Sequence, residues 1–186
     1  MKLAHIAVAI ALAVTFNLTG CSKPDAPAVL ANPYETIAAQ AKGFTVGALM
    51  SAHTVYVLFD PQCPHCGHLW EASAPLQSKA KFVWVPVAIV NAKSGPQGAA
   101  LLTSSNPVEA MTAHEKSILA GTGGMSASAS PPRDIELAIK ANTALFNGLG
   151  SDSVPFIIAK NAKTGLVVSN VGAMDTLPLA AFLGLN

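Results

Sequence analysis

A nearly unbroken apolar run, His53-Thr54-Val55-Tyr56-Val57-Leu58-Phe59, stops at Asp60-Pro61-Gln62 and is followed at once by Cys63-Pro64-His65-Cys66. β-Branched and aromatic residues dominate the run, the pattern of a strand buried on both faces. Pro64 suits the first turn of a helix, where its missing N–H costs nothing. A helix over Pro64–Leu76 is therefore expected, with Leu69, Trp70 and Leu76 as core contacts. A doubly buried strand feeding directly into a helix needs layers on both sides, so the rest of the chain has to supply them.

It contains the material to do so. Tyr34–Lys42 has helix-forming composition and stops before Gly43, and Phe44–Leu49 is a short strand or turn. Phe82–Ile89 reads as a second strand, with Pro86 pointing to an edge position or an irregularity. Helical segments follow around Gly98–Leu102, Pro107–Leu119 and Arg133–Phe146, the last two separated by a Gly-, Ser- and Pro-rich stretch, Gly121–Pro132, that reads as a flexible linker. Val154-Pro155-Phe156-Ile157-Ile158 is a strand entered through a proline, Asn161–Gly165 a hairpin turn into Leu166–Val171, and Asp175–Leu183 a final helix. The order is that of an α/β sandwich on one mixed sheet, with no internal repeat.

The remaining features concern address. The chain has 186 residues, enough for one domain and a targeting segment, with 11% charged residues and a net charge of +1. Nothing in that balance suits a polyanion, so nucleic acid is not an expected partner. Lys2 precedes an apolar run, Leu3–Phe16, too short to span a bilayer comfortably and shaped like a secretory signal peptide. Leu18-Thr19-Gly20-Cys21 closes it and looks like the bacterial lipobox, whose cysteine carries lipid. The expected layout is residues 1–20 as signal peptide, 21–33 as a Pro-containing tether lipidated at Cys21, and 34–186 as the folded domain with a helical insertion at about 94–148. Of three cysteines, lipid on Cys21 leaves Cys63 and Cys66 as a self-contained pair.

A Cys-x-x-Cys at a strand-to-helix junction has a definite chemistry. Cys63 sits at the helix N-terminus, where unpaired N–H groups favour a thiolate, and His65 adds a nearby cation. Cys66, one turn on, resolves the mixed disulfide that Cys63 forms. Other uses of the pair fit less well. A structural zinc site needs four ligands, and beyond His65 and His68 no second pair is spaced for it. Covalent haem wants histidine where Gly67 stands, and copper delivery on such a fold a wider cysteine spacing. No metal and no cofactor are expected. His53, His68 and His114 read as packing or surface residues, and the Gly121–Gly124 stretch lacks the ending of a phosphate-binding loop.

Phe59-Asp60-Pro61-Gln62-Cys63-Pro64-His65-Cys66 after a buried strand resembles the DsbC/DsbG family of periplasmic disulfide isomerases and reductases. Val85–Val90, Gly98–Leu102 and Asn106–Met111 are similar to the strand and helical insertion of its DsbG-like branch, so the resemblance runs from about Val55 to the C-terminus. It implies a thioredoxin-like fold with a helical insertion, Pro155 as a cis-proline facing the sulfurs, and Val154 offering backbone hydrogen bonds to bound substrate. Three departures accompany it. The roughly 30 residues between Cys21 and the first clear strand are too few for the family's N-terminal dimerisation domain. Val154 stands where that family usually has threonine and, with Pro64-His65, resembles the oxidase DsbA. Val57 occupies the place of the buried carboxylate of thioredoxins, so the Cys66 proton goes to something else, with water and Glu71 as candidates.

The functional expectation is a thiol–disulfide oxidoreductase acting on exported proteins, reductase or isomerase-like, or alternatively an oxidase. It would be held by its lipid in the bacterial envelope, at the outer membrane by resemblance of Ser22 to lipoprotein sorting signals, and served by a membrane redox partner. A metal-binding or chaperone lipoprotein, and an envelope lipoprotein with a merely structural disulfide, are the rival classes.

Overall fold

The computed structural model describes residues 30–186. The expected signal peptide, lipidation of Cys21 and most of the tether lie outside the described residues. Five strands form one mixed sheet: β1 (Phe44–Gly47), β2 (Thr54–Phe59), β3 (Lys81–Pro86), β4 (Phe156–Lys160) and β5 (Val167–Val171). Their order is β1-β3-β2-β4-β5, with β2 and β3 parallel and every other neighbouring pair antiparallel. Six helices surround it: α1 (Pro33–Gln40), α2 (Pro64–Ser73, extended by a 3-10 turn through Leu76), α3 (Ser94–Thr103), α4 (Pro107–Leu119), α5 (Arg133–Asn147) and α6 (Thr176–Leu183).

β2 is the middle strand, and its alternation feeds two cores. Val55, Val57 and Phe59 join Phe82, Trp84, Leu69, Trp70, Leu101, Met111 and Leu179 on the face covered by α2, α3, α4 and α6. Leu58 joins Ile37 of α1, Phe146 of α5, Val85 and Ile158 on the other. A side chain of this kind contributes about 1.5–3 kcal/mol when fully buried, so losing either layer would expose β2 at a cost comparable to the stability of a whole domain.

β3 differs from expectation. It stops at Pro86 rather than continuing to Ile89, and it lies inside the sheet between β1 and β2 rather than at an edge. Proline is accommodated because it is the last residue of the strand, and the next amide, Val87 N–H, makes the closing bond to Phe59 O at 2.8 Å. From there Asn142 of α5 ties the layers together: its amide donates to Lys42 O and Pro86 O at 2.7 and 3.0 Å and accepts from Lys42 N–H at 2.9 Å. All four helical regions expected between β3 and the C-terminus are present, and the hairpin at Asn161–Gly165 joins β4 to β5. Among the described residues no helix is long and apolar enough to cross a membrane.

Candidate active site

The end of β2 and the start of α2 set the geometry. Cys63 is the N-cap of α2, extended at φ −98° and ψ 112°, with Pro64 at the first helical position. Its side chain occupies the place from which an N-cap acceptor normally reaches the first free amides of a helix. A sulfur there gains most from those amides when it is negative.

The loop that aims Cys63 is fastened on two sides. Asp60, fully buried, accepts from Gln62 N–H at 2.8 Å with one carboxylate oxygen and from the Ile89 and Val90 amides at 2.7 and 2.9 Å with the other. On the opposite side His114, also fully buried, meets Pro61 O through Nε2 at 2.6 Å, while Met125 N–H donates to its Nδ1 at 3.1 Å. Nδ1 is thus the acceptor and Nε2 carries the proton, a neutral ring. Burial, working against the Pro61 carbonyl and the Asp60 charge, holds the His114 pKa below its usual range.

The Gly121–Pro132 stretch is correspondingly not a free linker at its start. Gln97 donates to Gly123 O and Met125 O at 2.9 and 2.8 Å, and Gln62 donates to Gly123 O at 3.1 Å. Gly124 has φ +82°, and a Cβ there would come within 2.5 Å of the His114 ring. Glycine is required on both grounds.

The two sulfurs are chemically unequal. Cys63 is 7% exposed and Cys66 wholly buried, and both are free thiols. The Cys63 pKa is brought down from 9.0 to about 6. The largest cause is the hydrogen bond from the Cys66 side chain, which overcomes burial; the Cys66 and His65 amides and the His65 charge follow. The helix terminus and His65, which the sequence points to, therefore act behind Cys66 itself. Cys66 is pushed well up, first by burial, then by its bond to Cys63 and by the charges of Cys63 and Glu115.

Across from Cys63, the Val154–Pro155 peptide bond is cis. Val154 O accepts from the Cys63 thiol at 3.5 Å, so two singled-out residues 91 positions apart in sequence are in contact. Pro64 and His65 lie exposed on the outer surface of the motif and Pro155 is buried. His65 and His68 stand side by side, ring centres 6.4 Å apart, and among the described residues no three metal-ligating side chains converge. Beneath the motif, Trp70 and Phe59 pack edge-on against Trp84 at 5.1 and 5.5 Å between centres, a rigid floor for α2.

Sequence reasoning missed one residue. Glu71 is exposed, whereas Glu115 of α4 is 1% exposed and neither of its carboxyl oxygens has a hydrogen-bond partner. Burial, then the charges of Cys63, Asp60 and Glu71, raise its pKa to about 9. The signal was present: Glu115 and His114 fall on the stripe Met111, His114, Glu115, Ile118 that α4 turns inward, two polar residues where a helix of this period wants apolar ones.

No protein-family profile matches the chain. It is 30% identical over 140 residues to thiol:disulfide interchange protein DsbG of Pseudomonas aeruginosa, covering 74% of this chain and 54% of that protein. Against DsbG of Escherichia coli the figures are 26% over 132 residues, 70% and 52%. The chain thus spans about half the length of the curated relatives it matches. A periplasmic thioredoxin-like protein of Salmonella enterica superposes with a TM-score of 0.65 at 14% identity, over 84% of this chain and 96% of that one. The architecture is a thioredoxin-like α/β fold with a helical insertion.

Proposed function

From a likeness to thiol:disulfide interchange protein DsbG over 74% of the chain, we propose that the protein exchanges thiols and disulfides with exported proteins through Cys63 and Cys66. The observation that carries the proposal is the inequality of the two sulfurs: one at the helix N-terminus, 7% exposed and with a pKa of about 6, the other wholly buried and held protonated. Such a pair has one attacking and one resolving member.

In the reductive direction, Cys63 thiolate attacks a substrate disulfide and expels one thiolate, leaving a mixed disulfide. Cys66, once deprotonated, attacks Cys63 Sγ, closes the Cys63–Cys66 bond and releases the second substrate thiolate. Pro64 fixes the first turn and His65 supplies positive charge at its rim. Val154 and Pro155 form the wall beside Cys63, where an extended substrate chain would find backbone partners. The same steps reversed oxidise a substrate dithiol. In either direction the electrons pass between the two cysteines and the substrate sulfurs.

The reductase or isomerase-like direction is the first reading, on the resemblance to the DsbG-like branch; the names of the relatives, thiol:disulfide interchange proteins, carry no direction. The oxidase reading has its own observation, the low Cys63 pKa, because a stabilised thiolate makes the disulfide more oxidising. The proposed setting is the periplasmic face of the envelope, with residues 1–20 as signal peptide, lipid on Cys21, residues 21–33 as tether, residues 34–186 as the redox domain and a membrane redox partner. The outer membrane is the proposed site of anchoring.

The test is the redox state of the pair in cells, trapped by acid quenching and read by a mass-shifting alkylating reagent, with Cys63→Ser as control. A mainly reduced pair supports the reductase or isomerase direction. An oxidised pair consumed by reduced substrate protein supports the oxidase. An oxidised pair inert to both substrate and mild reductant overturns the proposal.

A further inference from the structure

Resolution of the mixed disulfide requires a proton to leave Cys66, a sulfur with no exposed surface. The position that would hold a carboxylate on β2 is Val57, buried and apolar. The inserted helix α4 supplies a carboxyl from the other side. Glu115 Oε2 lies 2.9 Å from where a Cβ on Gly67 would be, so the residue immediately after Cys66 has no side chain and the carboxyl rests against the backbone of α2 in that space. Leu119 closes the same spot at 3.1–3.2 Å. Glu115 is almost wholly buried and neither oxygen is bonded to anything, which is costly to maintain for structure alone. Its side chain also lines a cleft of about 570 Å³ between α2 and α4, together with Trp70, Glu71, Thr112 and Lys116, which opens a route to water.

We propose that Glu115 is the proton acceptor for Cys66, taking the thiol proton through one bridging water as Cys66 attacks the mixed disulfide and exchanging it with solvent through the cleft between α2 and α4. The inference rests on the thiol–disulfide reading above. The balance is simple. Cys66–SH and the Glu115 carboxylate become Cys66–S⁻ and the Glu115 acid; Cys66–S⁻ displaces the substrate sulfur from Cys63; the departing thiolate is protonated by solvent. The pair loses two electrons and the substrate disulfide gains them. Oxidation of a substrate runs the same transfers backwards, with Glu115 returning the proton to Cys66.

The charges around the carboxyl couple it to the reaction stage. Cys63 and Cys66 and Glu71 face it from α2, Asp60 from the end of β2, and His114 and Lys116 flank it on α4; α3 brings no titratable side chain. Burial is the first cause that keeps Glu115 protonated, and while Cys63 is a thiolate its charge adds to it. Formation of the mixed disulfide removes that charge, so the carboxyl ionises more readily when the base is needed.

The test uses the reduced protein and the aromatic disulfide dithiobis(nitrobenzoate), which releases one coloured thiolate on attack by Cys63 and a second on attack by Cys66. In Glu115→Gln the second phase is expected to slow at least about 10-fold near neutral pH and to become proportional to hydroxide, while the first phase stays within about twofold. Glu115→Asp, which keeps the charge one methylene further back, should restore part of the rate and the wild-type shape of the pH profile. A second phase in Glu115→Gln with unchanged rate and pH profile overturns the proposal and leaves the redox reading standing. If Glu115→Gln does not fold, Glu115→Asp decides: a second phase that matches the hydroxide dependence of solvent deprotonation, with an intact fold, also overturns it. Absence of either phase in the wild type overturns the redox reading instead.

Discussion

Replacing Cys66 by alanine removes the largest single influence on the Cys63 thiolate while leaving the helix N-terminus in place. Cys63 titrates at about 6 instead of 9.0, and the Cys66 side chain heads the causes that lower it. A hydrogen bond to a charged group contributes ~1.5–3 kcal/mol, and one pH unit corresponds to ~1.36 kcal/mol, so the bond accounts for about one to two units. Thiol donors are weak, which favours the lower half of that interval. Cys66→Ala should therefore move the Cys63 midpoint from about 6 to roughly 7–8, with the His65 and residue-66 amides supplying the rest. The midpoint is read from thiolate ultraviolet absorbance and, independently, from the pH dependence of alkylation by iodoacetamide. Cys66 does not confuse the wild-type curve, because burial keeps it protonated well above this range. His65→Ala, removing the smallest of the named contributions, should shift the midpoint less than Cys66→Ala does. A Cys66→Ala midpoint within about half a unit of wild type would refute the reasoning and assign the thiolate to the dipole and amides of α2.

The buried groups make two stability predictions. Glu115 is held up to about 9, so between its ordinary value near ~4.3 and 9 it is protonated in the fold and ionised in the unfolded chain. Its stability contribution is whole below the lower value and is lost as pH rises, by up to ~1.4 kcal/mol per unit before solvent screening reduces it. Glu115→Gln should consequently gain about 2–4 kcal/mol on wild type between pH ~5 and ~8 in urea unfolding of the reduced protein; a difference independent of pH would show that the folded carboxyl is already ionised. His114→Ala leaves Pro61 O and Met125 N–H without partners in the interior. The expected cost is about 2–4 kcal/mol, a melting temperature lower by roughly 5–10 °C, and a melt within about a degree of wild type would deny that His114 fastens the loop before Cys63.

Much of the fold was legible because its signals are local. The doubly apolar run of β2, the proline that opens α2, the hairpin glycine at Gly165 and the periodicity of α4 and α5 each act within a few residues. Pro86 misled about β3 because strand position depends on which neighbours pair with it, and the missing N–H is harmless at a strand's last residue. Glycine- and serine-rich composition made residues 121–132 look free, yet their restraint comes from Gln62, Gln97 and His114, far away along the chain.

The two cysteines, their spacing and the strand-to-helix junction that sets one sulfur at a helix N-terminus were determined by the sequence alone, since backbone geometry within four residues sets them. What surrounds the pair was decided by the tertiary structure. Val154 reaches Cys63 across 91 positions of sequence, and Glu115 reaches the α2 backbone beside Cys66 from an inserted helix. Burial, and with it the divergence of the two sulfurs and the raised carboxyl, is a property of packed layers: desolvation and charge–charge coupling depend on distances through space, which no local pattern encodes.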